Sequence, residues 1–238
     1  MEHALTAQPA PHPSPHPLDN PAHSALTGPD ARFAERAGRV LRYDTEVSPW
    51  YALPDDAGEQ DWRDLARLAG PGASVMFAGP PARPPRDWEV TFDLAGVQLV
   101  DEGAEAAHDE EAVRLGPADV PEMLELTGRT RPGPFLERTV ELGGYLGFRS
   151  GGALVAMAGE RMHPPGWTEI SGVCTDPDFR GKGLARRLIL AVAANIRERG
   201  ETPFLHTGHD NPAIGLYEAL GFRLRARPTF MAARVPGA

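Results

Sequence analysis

A chain of 238 residues is long enough for one large domain or two small ones, and either can bury enough apolar surface to need no disulfide or structural metal. One cysteine, Cys174, excludes an internal disulfide framework and a cysteine-rich zinc site. The net charge of −9 divides unevenly, with 8 basic residues against 19 acids over residues 1–110 and 16 against 14 over residues 111–238, which argues against a nucleic-acid partner while leaving room for a local anion site in the second half. The acidic first half reads either as a solvated surface or as a field favouring a cationic substrate. No apolar run approaches the about 18–20 residues of a membrane span, and no basic stretch followed by an apolar one marks a leader, so a cytoplasmic protein without a membrane partner is expected.

Residues 1–29 hold seven prolines and four histidines and read as a disordered tail, because proline removes backbone donors and restricts its neighbours. A small α+β portion is expected over residues 30–109. It has helical character at 31–40 and a second helix at 61–70, capped by Asp61 and stopped by Gly70. A buried strand follows at 75–78, then a hairpin of residues 88–94 and 97–100 turning at Ala95-Gly96. An acidic loop, 101–111, leads into a more regular portion, 110–234. Short strands are expected at 112–115, 144–149 and 153–159, and helices at 119–126 and 135–141. Then come a strand at 169–175, a loop to 183, a long helix at 184–199 and a strand at 202–206. A helix at 212–220 and two late strands at 222–227 and 229–234, parted by Pro228, complete the order.

The strongest chemical signal is Arg180-Gly181-Lys182-Gly183-Leu184-Ala185, between a strand and the long helix. Glycines at 181 and 183 allow a tight turn that presents N–H groups, the helix start adds free donors, and Arg180 and Lys182 add charge, so a pyrophosphate would sit well there. The loop lacks the Gly-Lys-Ser/Thr ending of nucleotide-triphosphate loops and the three-glycine dinucleotide spacing. Without the serine or threonine and a magnesium-carboxylate arrangement, phosphoryl transfer falls away. Downstream stands Asn211-Pro212-Ala213-Ile214-Gly215-Leu216-Tyr217-Glu218-Ala219-Leu220-Gly221-Phe222.

Arg-x-x-Gly-x-Ala before a long helix resembles the acetyl-coenzyme A pyrophosphate loop of the GNAT superfamily of N-acetyltransferases. The Asn-initiated segment ending Tyr-Glu-x-Leu-Gly-Phe is similar to that superfamily's late motif. The ordered pair covers residues 110–234 and is closest to an uncharacterised bacterial branch with an additional N-terminal portion. The resemblance implies a mixed α/β fold: a mostly antiparallel central sheet flanked by helices, with one parallel pair around the cofactor gap. It also implies acetyl-coenzyme A as acyl donor. Val173, Cys174 and Thr175 would contact the pantetheine arm through their backbone, with Gly172 easing a bulge, and Arg180 to Ala185 would hold the pyrophosphate.

Acyl transfer to an amine needs a neutral nucleophile, a polarised carbonyl and a protonated leaving thiolate. Glu169 is the candidate general base, against pairing with Arg161 or Arg187. Glu160 is its reserve. Tyr217 is the candidate general acid, by resemblance the phenol beside the coenzyme A sulfur. Asn211 would cap the following helix and touch the cofactor arm. Glu160, His163, Trp167 and His206 are candidates for the acceptor pocket, and no metal is expected. Cys174 reads as a small strand residue, since no histidine partner would activate it for a covalent route. The expected function is direct acetyl transfer to a primary amine of a small molecule, amino acid or peptide. The alternative is a non-catalytic acyl-coenzyme A sensor or scaffold. A homodimer is left open.

Overall fold

The computed structural model describes residues 16–79 and 83–237. Most of the tail expected to be disordered, residues 1–15, lies outside them, but residues 16–29 are structured. Helix α1 (Pro21–Leu26) has Pro21 in its first turn, where a missing N–H costs nothing, and Leu18, Ala22, Ala25 and Leu26 are buried. Strands β1 (Ala34–Ala37), β2 (Val40–Tyr43) and β3 (Tyr51–Ala52) form a small antiparallel sheet. They replace the helix expected over 31–40, because Gly38 turns β1 onto β2 at a φ of +59°. Helix α2 (Glu59–Ala69) begins two residues before its expected start. Asp61 is inside the first turn, where its carboxylate accepts from the Gly58 N–H at 2.9 Å and pairs with Arg39.

Strand β4 (Ser74–Ala78) is as expected, but the hairpin around Ala95-Gly96 is one 13-residue strand, β5 (Glu89–Asp101). Its two halves serve different neighbours. Residues 89–95 pair with β12 (Thr229–Arg234), while residues 96–101 lie between β10 (Thr202–Gly208) and β11 (Phe222–Ala226). Gly96 stands at the handover, where a Cβ would collide with the Phe230 ring.

The remaining elements are β6 (Val113–Leu115), α3 (Val120–Thr130), β7 (Tyr145–Ser150), β8 (Ala153–Glu160), β9 (Trp167–Thr175), α4 (Leu184–Glu198) and α5 (Ile214–Ala219). The helix expected at 135–141 shrinks to one 3-10 turn, Thr139–Glu141. The nine-stranded sheet runs β4-β12-β5-β10-β9-β8-β7-β6, with β11 also on β5, and only β9 and β10 pair in parallel. This is the mixed, mostly antiparallel sheet expected. Its N-terminal strands β4 and β5 are built into the same sheet as the later ones. Among the described residues, no helix is long and apolar enough to cross a membrane.

Around β8, β9 and β10 the sheet is covered on both faces. Ala156, Ala158, Ile170 and Leu205 meet Leu188, Val192 and Ile196 of α4, and Tyr217 and Leu220 close that layer. On the opposite face α1 packs with β2 over Val100, Met162, Phe204 and Phe230, and α3 covers Tyr145, Met157 and Cys174. A buried polar cluster ties α1's connection to β8 and β9. The Tyr43 hydroxyl donates to Asp30 at 2.7 Å, and His163 meets Asp30 through its backbone N–H and Nδ1 at 3.1 and 3.0 Å. Its Nε2 lies 3.5 Å from Glu160, which Arg199 also holds at 2.9 Å. Burial alone would lower the His163 pKa; the two carboxylates outweigh it and push it up to about 9.

Protonated His163 therefore stabilises the fold fully below about pH 6.5, its ordinary unfolded value, and this contribution is lost as pH rises through about 9. Thermal melts from pH 6 to 10 should show stability falling across that window by on the order of 3 kcal/mol. A His163→Gln variant should be less stable at pH 6 and show a flatter profile; an unchanged slope would contradict this account.

Candidate active site

β9 and β10 pair at only three positions, Trp167–Thr202, Thr168–Pro203 and Glu169–Phe204, and then part. Two local causes separate them. β10 is committed on its other edge to β5, from Phe204–Val100 to Gly208–Gly96. β9 meanwhile carries a bulge: Ser171 faces Gly159 and Cys174 faces Met157, so two residues of β9 oppose one of β8. Gly172 takes a φ of +64° there, and a Cβ would press on the Tyr145 ring at 3.2 Å. The bulge expected at Gly172 is present.

The gap opens into a cleft of about 870 Å³, within the range of small-molecule sites. Ser171 to Thr175 form one wall, and Leu205, His206, Thr207 and Asn211 the other. At the C-terminal end of β9 lie Arg180, Gly181, Gly183, Leu184 and Ala185, the expected phosphate loop. Gly181 and Gly183 have φ of +74° and +76°, which L side chains adopt at a cost, and Gly183 immediately precedes the 15-residue α4. Arg180 Nε lies 3.4 Å from the Thr175 carbonyl. Lys182 does not line the cleft; its ammonium sits 4.4 Å above the Phe179 ring. Thr175 Oγ1 is buried with no hydrogen-bond partner among the described residues.

Tyr217 projects from α5 into this lining with its ring buried. Its hydroxyl has no partner among the described residues, and burial pushes its pKa up to about 12, so it stays protonated. Asn211 donates to Thr207 and accepts from the Ala213 N–H at 2.9 Å, tightening the entry to α5 two residues ahead of the helix cap. Burial raises the Cys174 thiol to about 11, which keeps it from being a thiolate nucleophile.

The other candidates are placed differently. Glu169 is fully buried and does not line the cleft. Alternation along β9 sends Ile170 into the α4 layer and turns Glu169 to the opposite face, where Arg161 meets it. Glu169 accepts from Arg161 Nε and Nη2 at 2.8 and 2.7 Å and from His206 Nδ1 at 2.8 Å. Burial alone would raise its pKa, but Arg161 and His206 hold the carboxyl well below the usual range. A carboxylate so engaged is a poor base, and Glu169 becomes a positioning residue. Glu160 is likewise bound within the His163–Arg199 cluster, outside the cleft. Trp167 and His163 are also absent from the lining; Trp167 packs beside His16, at 5.3 Å, where β9 is still paired.

His206 does line the cleft, and its partners fix its tautomer. Gln98 accepts from Arg225 through Oε1 at 2.8 Å and donates through Nε2 to the Leu18 carbonyl, which orients the amide. The same Nε2 donates to His206 Nε2 at 2.9 Å, so the ring proton is on Nδ1, facing Glu169. With both nitrogens engaged, His206 is a wall rather than a relay. The residues that the motifs missed are Arg161 and Gln98. Gln98 is legible only as a polar residue among the apolar ones of β5, and Arg161 only as a partner for Glu169.

Glu169→Gln keeps the side chain's shape but leaves the Arg161 charge buried without its counter-ion. It should lose about 3–5 kcal/mol of stability in urea denaturation. Unchanged stability with abolished turnover would instead restore Glu169 as a base.

The fold is shared with known proteins. Residues 145–231 match the FR47-like protein family. A Novosphingobium aromaticivorans protein assigned to the GNAT family superposes with a TM-score of 0.85 at 38% identity, over 94% of this chain and 100% of that one. A GCN5-related N-acetyltransferase from Kribbella flavida shares the fold, with a TM-score of 0.60 at 16% identity over 91% of this chain and 95% of that one. N-alpha-acetyltransferase RimI of Mycobacterium tuberculosis is 37% identical over 83 residues, 33% of this chain and 51% of that protein. Mycothiol acetyltransferase of Saccharomonospora viridis is 34% identical over 90 residues, 34% of this chain and 29% of that protein. The chain thus spans about half the length of the first of these curated relatives and under a third of the second. The likeness to the Novosphingobium protein runs the length of both chains, and on that ground this chain belongs to the GNAT superfamily.

Proposed function

We propose that the protein is an acetyl-coenzyme A-dependent N-acetyltransferase acting by direct transfer on a primary amine of a small molecule, amino acid or peptide. The observation that carries this reading is the free Tyr217 hydroxyl in a cleft between parted parallel strands, with a glycine phosphate loop at its end. Two partly matching relatives are named as acetyltransferases, one of them an N-alpha-acetyltransferase, which supports an amine acceptor.

The residues fit the donor. The open edge of β9 from Ser171 to Thr175 suits an extended pantetheine arm, the orphaned Thr175 hydroxyl awaits a partner, and the start of α4 with Arg180 suits a pyrophosphate. Acetyl-coenzyme A supplies the activated acyl carbon. The amine nitrogen bonds to that carbon as the carbon–sulfur bond breaks. Tyr217 donates its proton to the departing thiolate and is reprotonated from water. The amine's surplus proton leaves to solvent. Among the described residues no Asp or Glu lines the cleft, so none of their carboxylates receives this proton.

The test is thiol release from acetyl-coenzyme A with a panel of amines. Tyr217→Phe should lower kcat by roughly a hundredfold while leaving acetyl-coenzyme A binding unchanged. Arg180→Ala should weaken that binding about tenfold and reduce its salt sensitivity. Tight binding with no release from any amine would favour the sensor reading, and absence of both would end the cofactor assignment.

A further inference from the structure

Arg161 raises a question that its pairing with Glu169 does not answer. The guanidinium has three nitrogens. Nε and Nη2 are spent on Glu169, but Nη1 has no hydrogen-bond partner among the described residues. The side chain is only 9% exposed, and Arg161 is among the residues that line the cleft. Trp50 lies 5.3 Å beneath the guanidinium and keeps bulk water from that side. The two Nη1–H groups of this largely buried cation thus have no acceptor among the described residues, and water in the cleft meets them until a substrate oxygen displaces it.

The donor's phosphates are not that acceptor. Arg161 is held at Glu169, where β9 and β10 begin to part, while the phosphate loop follows Thr175. Six residues of extended strand separate the two by about 20 Å. The bulge at Gly172 is only about 10 Å along the same strand. Arg161 therefore serves the end of the cleft that the acceptor occupies. Among the described residues the lining there holds no carboxylate, Glu169 lying behind Arg161 and His206, so the acidic first half of the chain does not translate into an acidic pocket.

Resting on the acetyltransferase reading above, we infer that Arg161 binds a carboxylate of the acceptor, which makes the acceptor an amino acid rather than an uncharged amine or a polyamine. Glu169, itself fixed by His206, holds the guanidinium in one orientation, and Nη1 meets the substrate carboxylate while the amine faces the thioester carbon. Glu169 already balances the Arg161 charge, so the substrate carboxylate is recognised through the two Nη1–H donors rather than through an uncompensated charge.

The experiment compares matched pairs, α- and ω-amino acids against their primary amides, in the thiol-release assay with wild type and Arg161→Lys. Lysine keeps a charge facing Glu169 but loses the free Nη1; thermal melting checks that the variant is folded. Wild type should favour acids over amides by about 10- to 100-fold in kcat/KM. In Arg161→Lys this ratio should fall toward one, mainly through a higher KM for the acids. Calorimetric titration of acids and amides in the presence of coenzyme A reads the same preference without turnover. Equal use of acids and amides by wild type would overturn the inference and leave the acetyltransferase reading standing. Equal slowing of both classes in the variant would also overturn it, assigning Arg161 to the thioester. Acid-selective binding with no release would sustain the carboxylate site while the acetyltransferase reading fell; neither binding preference nor release would end both.

Discussion

Glu169 is buried at the last point where β9 and β10 remain paired, and removing a carboxylate from water there is costly unless its oxygens are occupied. Arg161 and His206 occupy them. The arrangement then propagates outward: His206 is fixed by Gln98, Gln98 by Arg225 and the Leu18 carbonyl, and Arg225 by Asp19. A single charge at the fork thus links the floor of the cleft to the segment before α1. This is why residues 16–29, proline-rich as they are, are structured: they close a polar chain and cover Phe204 and Met162.

The sheet performs a related task at larger scale. A gap between two strands survives only if each strand is held firmly on its far side. β9 is held by β8 through a bulge, and β10 by β5 along its second half. The long β5 is in turn flanked by β11 and β12, whose break at Pro228 matches the handover at Gly96. The N-terminal portion therefore supplies the strand that keeps the gap between β9 and β10 open.

Much of this was legible in the residues and some was not, for physical reasons. The glycine turn at 181–183, α4, α5 and the bulge at Gly172 rest on local chemistry: glycine torsions, helix starts and an aromatic at fixed spacing. The hairpin at Ala95-Gly96 failed because glycine signals a backbone without a Cβ, and here what demands it is Phe230, 134 positions along the chain. Glu169 failed for a similar reason. A glutamate on a half-buried strand announces a need for partners, and sequence does not say whether substrate or Arg161 meets it. Glu160, His163 and Trp167 were drawn toward the acceptor by proximity in sequence to β9, whereas they lie where that strand is still paired.

The position of β5 also bears on how the molecule assembles. Its partners on both edges, β10 to β12, come from residues 202–234, about a hundred positions later. Pairings of such long sequence separation are slow to form, because loop-closure entropy is spent before contacts reward it. On a ribosome, β5 emerges early and waits with both edges open while α3, β7, β8, β9 and α4 are still being made. Open edges are templates for other chains. The same strand that holds the cleft apart in the finished fold is therefore the segment most in need of protection during synthesis, and the charged residues Glu89, Asp93 and Asp101 along it are suited to discouraging premature pairing.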